Sequence, residues 1–448
     1  MKPLSPSRCT RTCCCWVLAL ALAFPLAGEA EGAAAPSLSS AAEAVAAPAP
    51  VMPGTWQLAG FDPGLPNGDL EPLRKLVGKA QIVALGESHF ASGGFHQLRH
   101  RVTRYLVENL GFRMFAIDSG RVLAERTAAY VATCDGSADE ALGGLWGSWQ
   151  SVELRELLQW MCAWNSSHPK AKDKVRLVGF NTHDQSPADA AALTEFLLKL
   201  DWAADDPRIV GLSECYGVVE YDLLGRIPPA RYAACVGSLD AISQYFTADA
   251  KKIIKKTSKS ELEWAKLHLV GLRAEEDLIA FGGTSHGESN AALGAGLAYN
   301  VVKLRDLLAP KAKVVVWVGN SQVAKGGPAA APWGFVTMGT LLRQSQGTRY
   351  LAIALGADET NVDWGEGPTA CGLVAAYGRP GSYEQALRDL GLGDLLVDLR
   401  AGGVVPAVLP DGEHALGDAT IDVKSQFDAL LYLDVSPKMT PLAWAPCH

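Results

Sequence analysis

Short apolar runs return along this chain at intervals that leave room for a helix between them. They are Ile82-Val83-Ala84-Leu85, Met114-Phe115-Ala116-Ile117, Val175-Arg176-Leu177-Val178-Gly179-Phe180 and Lys313-Val314-Val315-Val316-Trp317-Val318. Runs this short and this continuously apolar read as strands covered on both faces, the mark of parallel sheets. Between the first two, Phe95 to Leu110 sets Phe95, Leu98, Val102, Tyr105, Leu106 and Leu110 on one helical arc. Sequential strands joined through a helix pair in parallel. The expected fold class is therefore α/β, a mostly parallel central sheet flanked by helices. Further strands are expected at Tyr350 to Leu355, Leu395 to Asp398 and Ala429 to Leu433. From about 203 to 281 strand signals stop, and a segment carrying Lys251-Lys252-Ile253-Ile254-Lys255-Lys256 reads as a helical insertion. An aromatic-rich helix is expected over Trp146 to Trp164.

Each apolar run ends in polar residues: Glu87 and His89, then Asp118, then Asn181 and His183, then Asn320 and Gln322. In a parallel sheet the carboxyl ends share one rim, where ligands bind. Glu87 and His89 are the leading catalytic pair, because histidine is a base near neutral pH and a neighbouring acid can orient it. Asn181, His183, Asn320 and Gln322 are candidates for substrate contact. Arg99 falls inside the apolar arc of its helix, so its guanidinium either snorkels out or pairs with Glu87 or Asp118.

The first thirty residues stand apart. Lys2, Arg8 and Arg11 precede an apolar segment from Trp16 to Leu26, and Ala27-Gly28-Glu29-Ala30 follows as a cleavage-like site. Residues 1–30 are expected to be a signal peptide and 31–53 an Ala/Pro-rich linker, with one domain from 54 to 448. The expected destination is secreted or periplasmic, without stable membrane insertion after cleavage. A formal charge of −8 gives no reason to expect nucleic acid as a partner. Beyond the leader remain Cys134, Cys162, Cys215, Cys235, Cys371 and Cys447, none at CxxC spacing, so a structural zinc site is not expected. Cys215 and Cys235 suit a local disulfide, although spacing alone does not fix connectivity.

The stretch VALGESHF…LRH…NLGFRMFAIDSG resembles the core signature of the erythromycin esterase family. The similarity continues through Trp149, Glu153, Leu158, Trp160 and Trp164-Asn165, and through Met338-Gly339-Thr340-Leu341-Leu342 with Tyr350, roughly Leu73 to Leu355. The resemblance implies hydrolysis of a carboxylic ester or lactone without metal, cofactor or covalent intermediate. His89 would be the general base and Glu87 its orienting acid, with Asp118 and Arg99 completing the catalytic set. The chain departs from the family pattern at several places. It has one residue fewer between Glu87 and His89. Asp118 stands for a glutamate and Asn181 for an aspartate. Gly319-Asn320-Ser321-Gln322 replaces His-x-x-His, and an Arg-Asp pair before Leu297 to Leu304 is missing.

Those departures leave a second reading, a catalytically degenerate exported protein that binds a small molecule. Gly283-Thr284-Ser285-His286-Gly287 satisfies G-x-S-x-G, but the run before it is short and charged, so a flexible loop is the simpler account. A metal site on Glu87 and His89 would lack distal ligands.

Overall fold

The computed structural model describes residues 48–182, 186–215, 228–282, 286–326, 336–363, 373–400, 409–410, 412–417 and 419–442. Eleven strands are assigned: β1 (Thr55–Gln57), β2 (Ile82–Leu85), β3 (Phe112–Gly120), β4 (Arg176–Asn181), β5 (Lys313–Trp317), β6 (Tyr350–Asp363), β7 (Leu373–Tyr377), β8 (Leu395–Asp398), β9 (His414–Leu416), β10 (Ala419–Ile421) and β11 (Ala429–Ser436). Nine of them form one sheet in the order β1-β8-β11-β6-β2-β5-β3-β4, with β7 added on β6. The six strands from β11 to β4 run parallel. Only β1, β8 and β7 join antiparallel. The mostly parallel α/β architecture read from the sequence is thus present.

Strand periodicity explains the two cores. Val83, Leu85, Phe115, Ile117, Val315 and Trp317 face one layer of helices. Their alternates Ile82, Ala84, Met114, Ala116, Val314 and Val316 face the other. Central strand β2 is buried at all four residues, which is why it reads as an unbroken apolar run.

The helix Gly93–Leu110 packs on the first face, and Gly111 ends it in the left-handed conformation. The aromatic segment divides where a single helix was expected. Gly147–Trp149 is a 3₁₀ turn, and Ser151 then caps the helix Val152–Ser167 by accepting from the Leu154 amide. Between β4 and β5 the elements formed by the described residues are all helices. They include Pro229–Ala248, Ala250–Lys256 and Lys259–Gly282, and they hold an apolar cluster around Leu239, Phe246 and Leu272. Disulfides join Cys215 to Cys235 and Cys134 to Cys162. Among the described residues no helix is long and apolar enough to cross a membrane. The leader and most of the linker expected from the sequence lie outside the described residues, as do His183, Gly283 to Ser285, Cys371 and Cys447.

Candidate active site

The rim is set by register. Leu85 pairs with Trp317 and Ile353, and Ile117 pairs with Trp317, so β2 and β5 end at one level, where β3 and β6 run on past them. Glu87 follows β2 directly. Asp118 lies where the β3/β4 register shifts between Ile117 and Gly120, an irregularity of the kind that re-aims a side chain. Asn181 closes β4 opposite Gly120.

These residues form one buried polar cluster. Arg99 Nη2 lies 2.9 Å from Glu87 Oε2, and both side chains are essentially without solvent exposure. The pairing alternative for Arg99 is therefore the one adopted, and the snorkelling alternative is not. Arg99 also lies against two indoles, with Cζ 4.6 Å from the Trp317 ring and 5.4 Å from the Trp149 ring. Asn181 Nδ2 donates to Asp118 Oδ1 at 2.6 Å, and Trp149 Nε1 donates to the Asp118 carbonyl at 2.7 Å.

Burial dominates the electrostatics. It raises the Glu87 carboxyl and lowers the Arg99 guanidinium, while their mutual attraction opposes both shifts. Burial pushes Asp118 up from its ordinary 3.8 to about 7. The Asn181 hydrogen bond and the Arg99 charge hold it down, and the Glu87 charge adds to the rise. Asp118 can therefore exchange a proton near neutral pH.

Glu87 and Arg99 meet through one contact, between Arg99 Nη2 and Glu87 Oε2. Glu87 Oε1 and Arg99 Nε and Nη1 are buried without a hydrogen-bond partner. The Ser88, Ser119 and Thr182 hydroxyls, on the ends of the same strands, are in the same condition. Buried groups left this way are costly, and where several gather at a strand rim they offer hydrogen bonds to something beyond the protein.

His89 takes a different position from the one expected. Glu87 faces Arg99 rather than serving as the orienting acid of His89. His89 is half-buried and reaches the turn between β9 and β10. A methyl placed on Gly417 would lie 3.5 Å from His89 Nε2 and 2.7 Å from Ser88 Cβ, and the backbone there is left-handed at φ +59°. Only glycine fits that contact without strain. Beside His89, Phe90 is half exposed and packs toward Gly319, 3.8 Å from where a Cβ would stand.

Asn320 and Gln322 require a correction. Asn320 Nδ2 donates to the Leu355 carbonyl at 2.8 Å, and its Oδ1 accepts from the Leu355 amide at 3.1 Å. It ties β5 to β6 across the end of β2, so tightly that a Cβ on Gly86 would fall 1.9 Å from Asn320 Oδ1. Gln322 Oε1 accepts from the Met338 amide at 3.1 Å. Both side chains brace the backbone, because the chain leaving β5 turns at once into the short helix Asn320–Val323 and must satisfy its neighbours' amides.

Sequence reasoning missed three neighbours. His96 stacks on Trp149 with centroids 5.3 Å apart, and burial together with the Arg99 charge holds it well below its ordinary value, hence neutral. Its spacing of three from Arg99 places both on one helix face and could have flagged it. Trp317 was read only as part of a strand. Glu384, on the helix Tyr383–Arg388, is buried; its Oε1 accepts from the Gly417 amide at 2.5 Å and its Oε2 has no hydrogen-bond partner. Its link to His89 runs through a turn, for which the sequence holds no local signal.

The sequence model of the family described as erythromycin esterase matches residues 107–436, well over half of the chain. The chain belongs to the erythromycin esterase family. The matched span begins after Glu87, His89 and Arg99 and extends well past the reach of the motif resemblance. Erythromycin esterase type II of Escherichia coli is 33% identical over 114 residues, 25% of this chain and 26% of that protein. A putative hydrolase of Bacillus subtilis (strain 168), YbfO, is 24% identical over 136 residues, 30% of this chain and 29% of that one. The chain thus spans under a third of the length of these curated relatives. Among solved structures, a Bacillus cereus protein superposes with TM-score 0.72 at 21% identity, covering 88% of this chain and 97% of that one. A mutant of the erythromycin esterase EreC in its open conformation gives TM-score 0.66 at 20% identity, covering 87% and 98%. At these identities the likeness establishes the fold alone.

The described residues contain one grouping of metal-ligand types, Cys215, Cys235 and Glu276. Its two sulfurs are bonded to each other and offer no thiolate.

Proposed function

We propose that the protein hydrolyses a carboxylic ester or lactone without metal, with His89 as the general base. The observation that carries this reading is the buried Glu87, Arg99 and Asp118 cluster, in which Glu87 Oε1 and Arg99 Nε and Nη1 have no hydrogen-bond partner within the protein. His89 takes a proton from water, the resulting hydroxide adds to the carbonyl carbon, and the tetrahedral oxyanion forms. Arg99 supplies positive charge near the developing oxyanion in a low-dielectric setting, where such charge counts most. When the C–O bond breaks, protonated Asp118 gives its proton to the leaving alkoxide. Its position near pH 7 suits that exchange. Half-exposed Phe90 provides an apolar lip for the substrate's carbon skeleton. Export through residues 1–30 is part of the same proposal, and two disulfides suit an oxidising compartment.

A panel of aliphatic esters and lactones, assayed with wild type and His89→Ala side by side, tests this reading. His89→Ala is expected to lower kcat by about 10²- to 10⁴-fold on the preferred substrate. Equal rates for the two proteins would remove His89 from the chemistry.

The second reading, an exported small-molecule-binding protein, is favoured by one observation. Asn320 and Gln322 are committed to the backbone, and the stretch Gly319 to Gln322 carries no acid or base. Saturable binding of the same panel without turnover would support it.

A further inference from the structure

At the opposite ends of the strands, away from Glu87, lies a cleft of about 520 Å³ whose charge runs against that of the chain. It is lined by Arg113, Lys172, Lys174, Arg176, Lys311 and Lys313, with no acidic residue among the lining groups, in a protein of formal charge −8. The N-termini of β3, β4 and β5 and the turn before β5 bring these six cations together. Like charges gathered in a concavity repel one another and are relieved by an anion.

Two of the six are anchored. Arg113 Nη1 donates to the Val107 and Phe112 carbonyls at 2.8 and 2.7 Å, with its guanidinium over Trp164. Lys313 Nζ donates to the Leu110 carbonyl at 3.0 Å. Asp173 attracts Arg113 but does not line the cleft. Lys172, Lys174, Arg176 and Lys311 make no ion pair among the described residues.

A second observation is independent of the charge count. Lys311 holds a left-handed backbone, φ +69°, in the turn between the helix His286–Leu308 and β5. Glycine or asparagine would sit there with less strain. The cleft also continues into a hollow of about 320 Å³, which shares Ala171, Lys174, Arg176 and Leu308 with it and adds Ala128, Ala132, Leu177 and Val178. The walls of that hollow are mainly apolar.

We propose that this cleft binds a small amphiphilic phosphate monoester, its phosphate among the lysines and Arg176 and its carbon chain in the adjoining hollow. Concavity favours a free small molecule over a flat lipid surface, although a phospholipid headgroup would offer the same chemistry.

Calorimetric titration of the full chain at low salt with hexyl phosphate and with inorganic phosphate tests the assignment. Hexyl phosphate is expected to bind at least about tenfold more tightly, from apolar burial of its chain. Lys174→Ala/Arg176→Ala is expected to weaken hexyl phosphate about tenfold or more. Lys311→Gly should weaken binding while raising Tm, because it removes a cation and a strained backbone together. Hexyl phosphate binding no more tightly than inorganic phosphate, or equal affinities in wild type and both variants, would overturn the site. Co-sedimentation with vesicles rich in anionic phospholipid, unaffected by excess hexyl phosphate, would overturn its assignment to a free small molecule.

Discussion

Arg99 and Arg101 sit two residues apart on one helix, both with fully buried side chains, yet they are held in opposite ways. Arg101 spends both terminal nitrogens on the protein. It meets the Gly60 carbonyl at 2.8 Å, the Pro66 carbonyl at 2.5 Å and both oxygens of Asp69. That set clamps the segment Gly60 to Leu70 onto the helix. Arg99 has one carboxylate contact, two aromatic rings and unfilled hydrogen-bond donors. A buried cation whose two terminal nitrogens are both matched, with Nε alone left over, is a structural tie, whereas one with unfilled terminal donors at a strand rim is poised to act on a ligand.

The largest effect expected from this contrast is on stability at Arg101. Arg101→Ala strands Asp69 and several carbonyls and should cost about 3–5 kcal/mol in urea unfolding. A loss under 1 kcal/mol would show that the clamp is dispensable.

Asp118 comes next. A carboxyl raised from 3.8 to about 7 binds its proton more tightly folded than unfolded. Its contribution is therefore fully present below pH 4 and is lost as pH rises through about 7. Asp118→Asn keeps an acceptor for Asn181 and removes the buried charge. It should stabilise the fold at pH 8 by up to about 4 kcal/mol relative to its effect at pH 4. It should also lower hydrolysis. Unfolding curves of wild type and variant that run parallel between pH 4 and pH 8 would contradict the raised value.

Asn320→Ala removes two buried hydrogen bonds to Leu355 and should cost about 1–3 kcal/mol without a selective change in KM. A change in KM with stability intact would restore Asn320 to the substrate side. The smallest effect is expected at Glu384, which latches the Gly417 turn against Ser88 and His89. Glu384→Ala should lower kcat about tenfold by loosening His89, and Glu384→Gln, which keeps an acceptor for the Gly417 amide, should recover most of it. No recovery with glutamine would assign the role to charge rather than position.

Much of the fold was legible because parallel strands are apolar on both faces and announce themselves as runs. Leu395 to Asp398 was read at its true bounds, and the strand expected from Tyr350 to Leu355 starts where read but runs on to Asp363. The site was only partly legible. Arg99 betrayed itself as a cation on an apolar arc, and that conflict is local to one helix. Asn320 did not, because whether an amide at a strand end faces a ligand or a neighbouring backbone depends on β6, thirty-five residues away. Trp149 and Trp317 looked like ordinary core residues, since nothing in their spacing shows that a guanidinium lies against both. Glu384 depends on the hairpin of β9 and β10, whose turn contacts Ser88 across more than three hundred residues of sequence.

The central claim is that Glu87 and Arg99 serve function more than folding. The direct measurement is the Glu87→Leu/Arg99→Met double variant, compared with wild type for unfolding free energy and for kcat/KM on the preferred ester. Replacing an incompletely hydrogen-bonded buried pair with apolar side chains should leave stability within about 1 kcal/mol of wild type, or raise it, while turnover is lost. A double variant that unfolds several kcal/mol more easily, or that keeps wild-type kcat/KM, would contradict the claim.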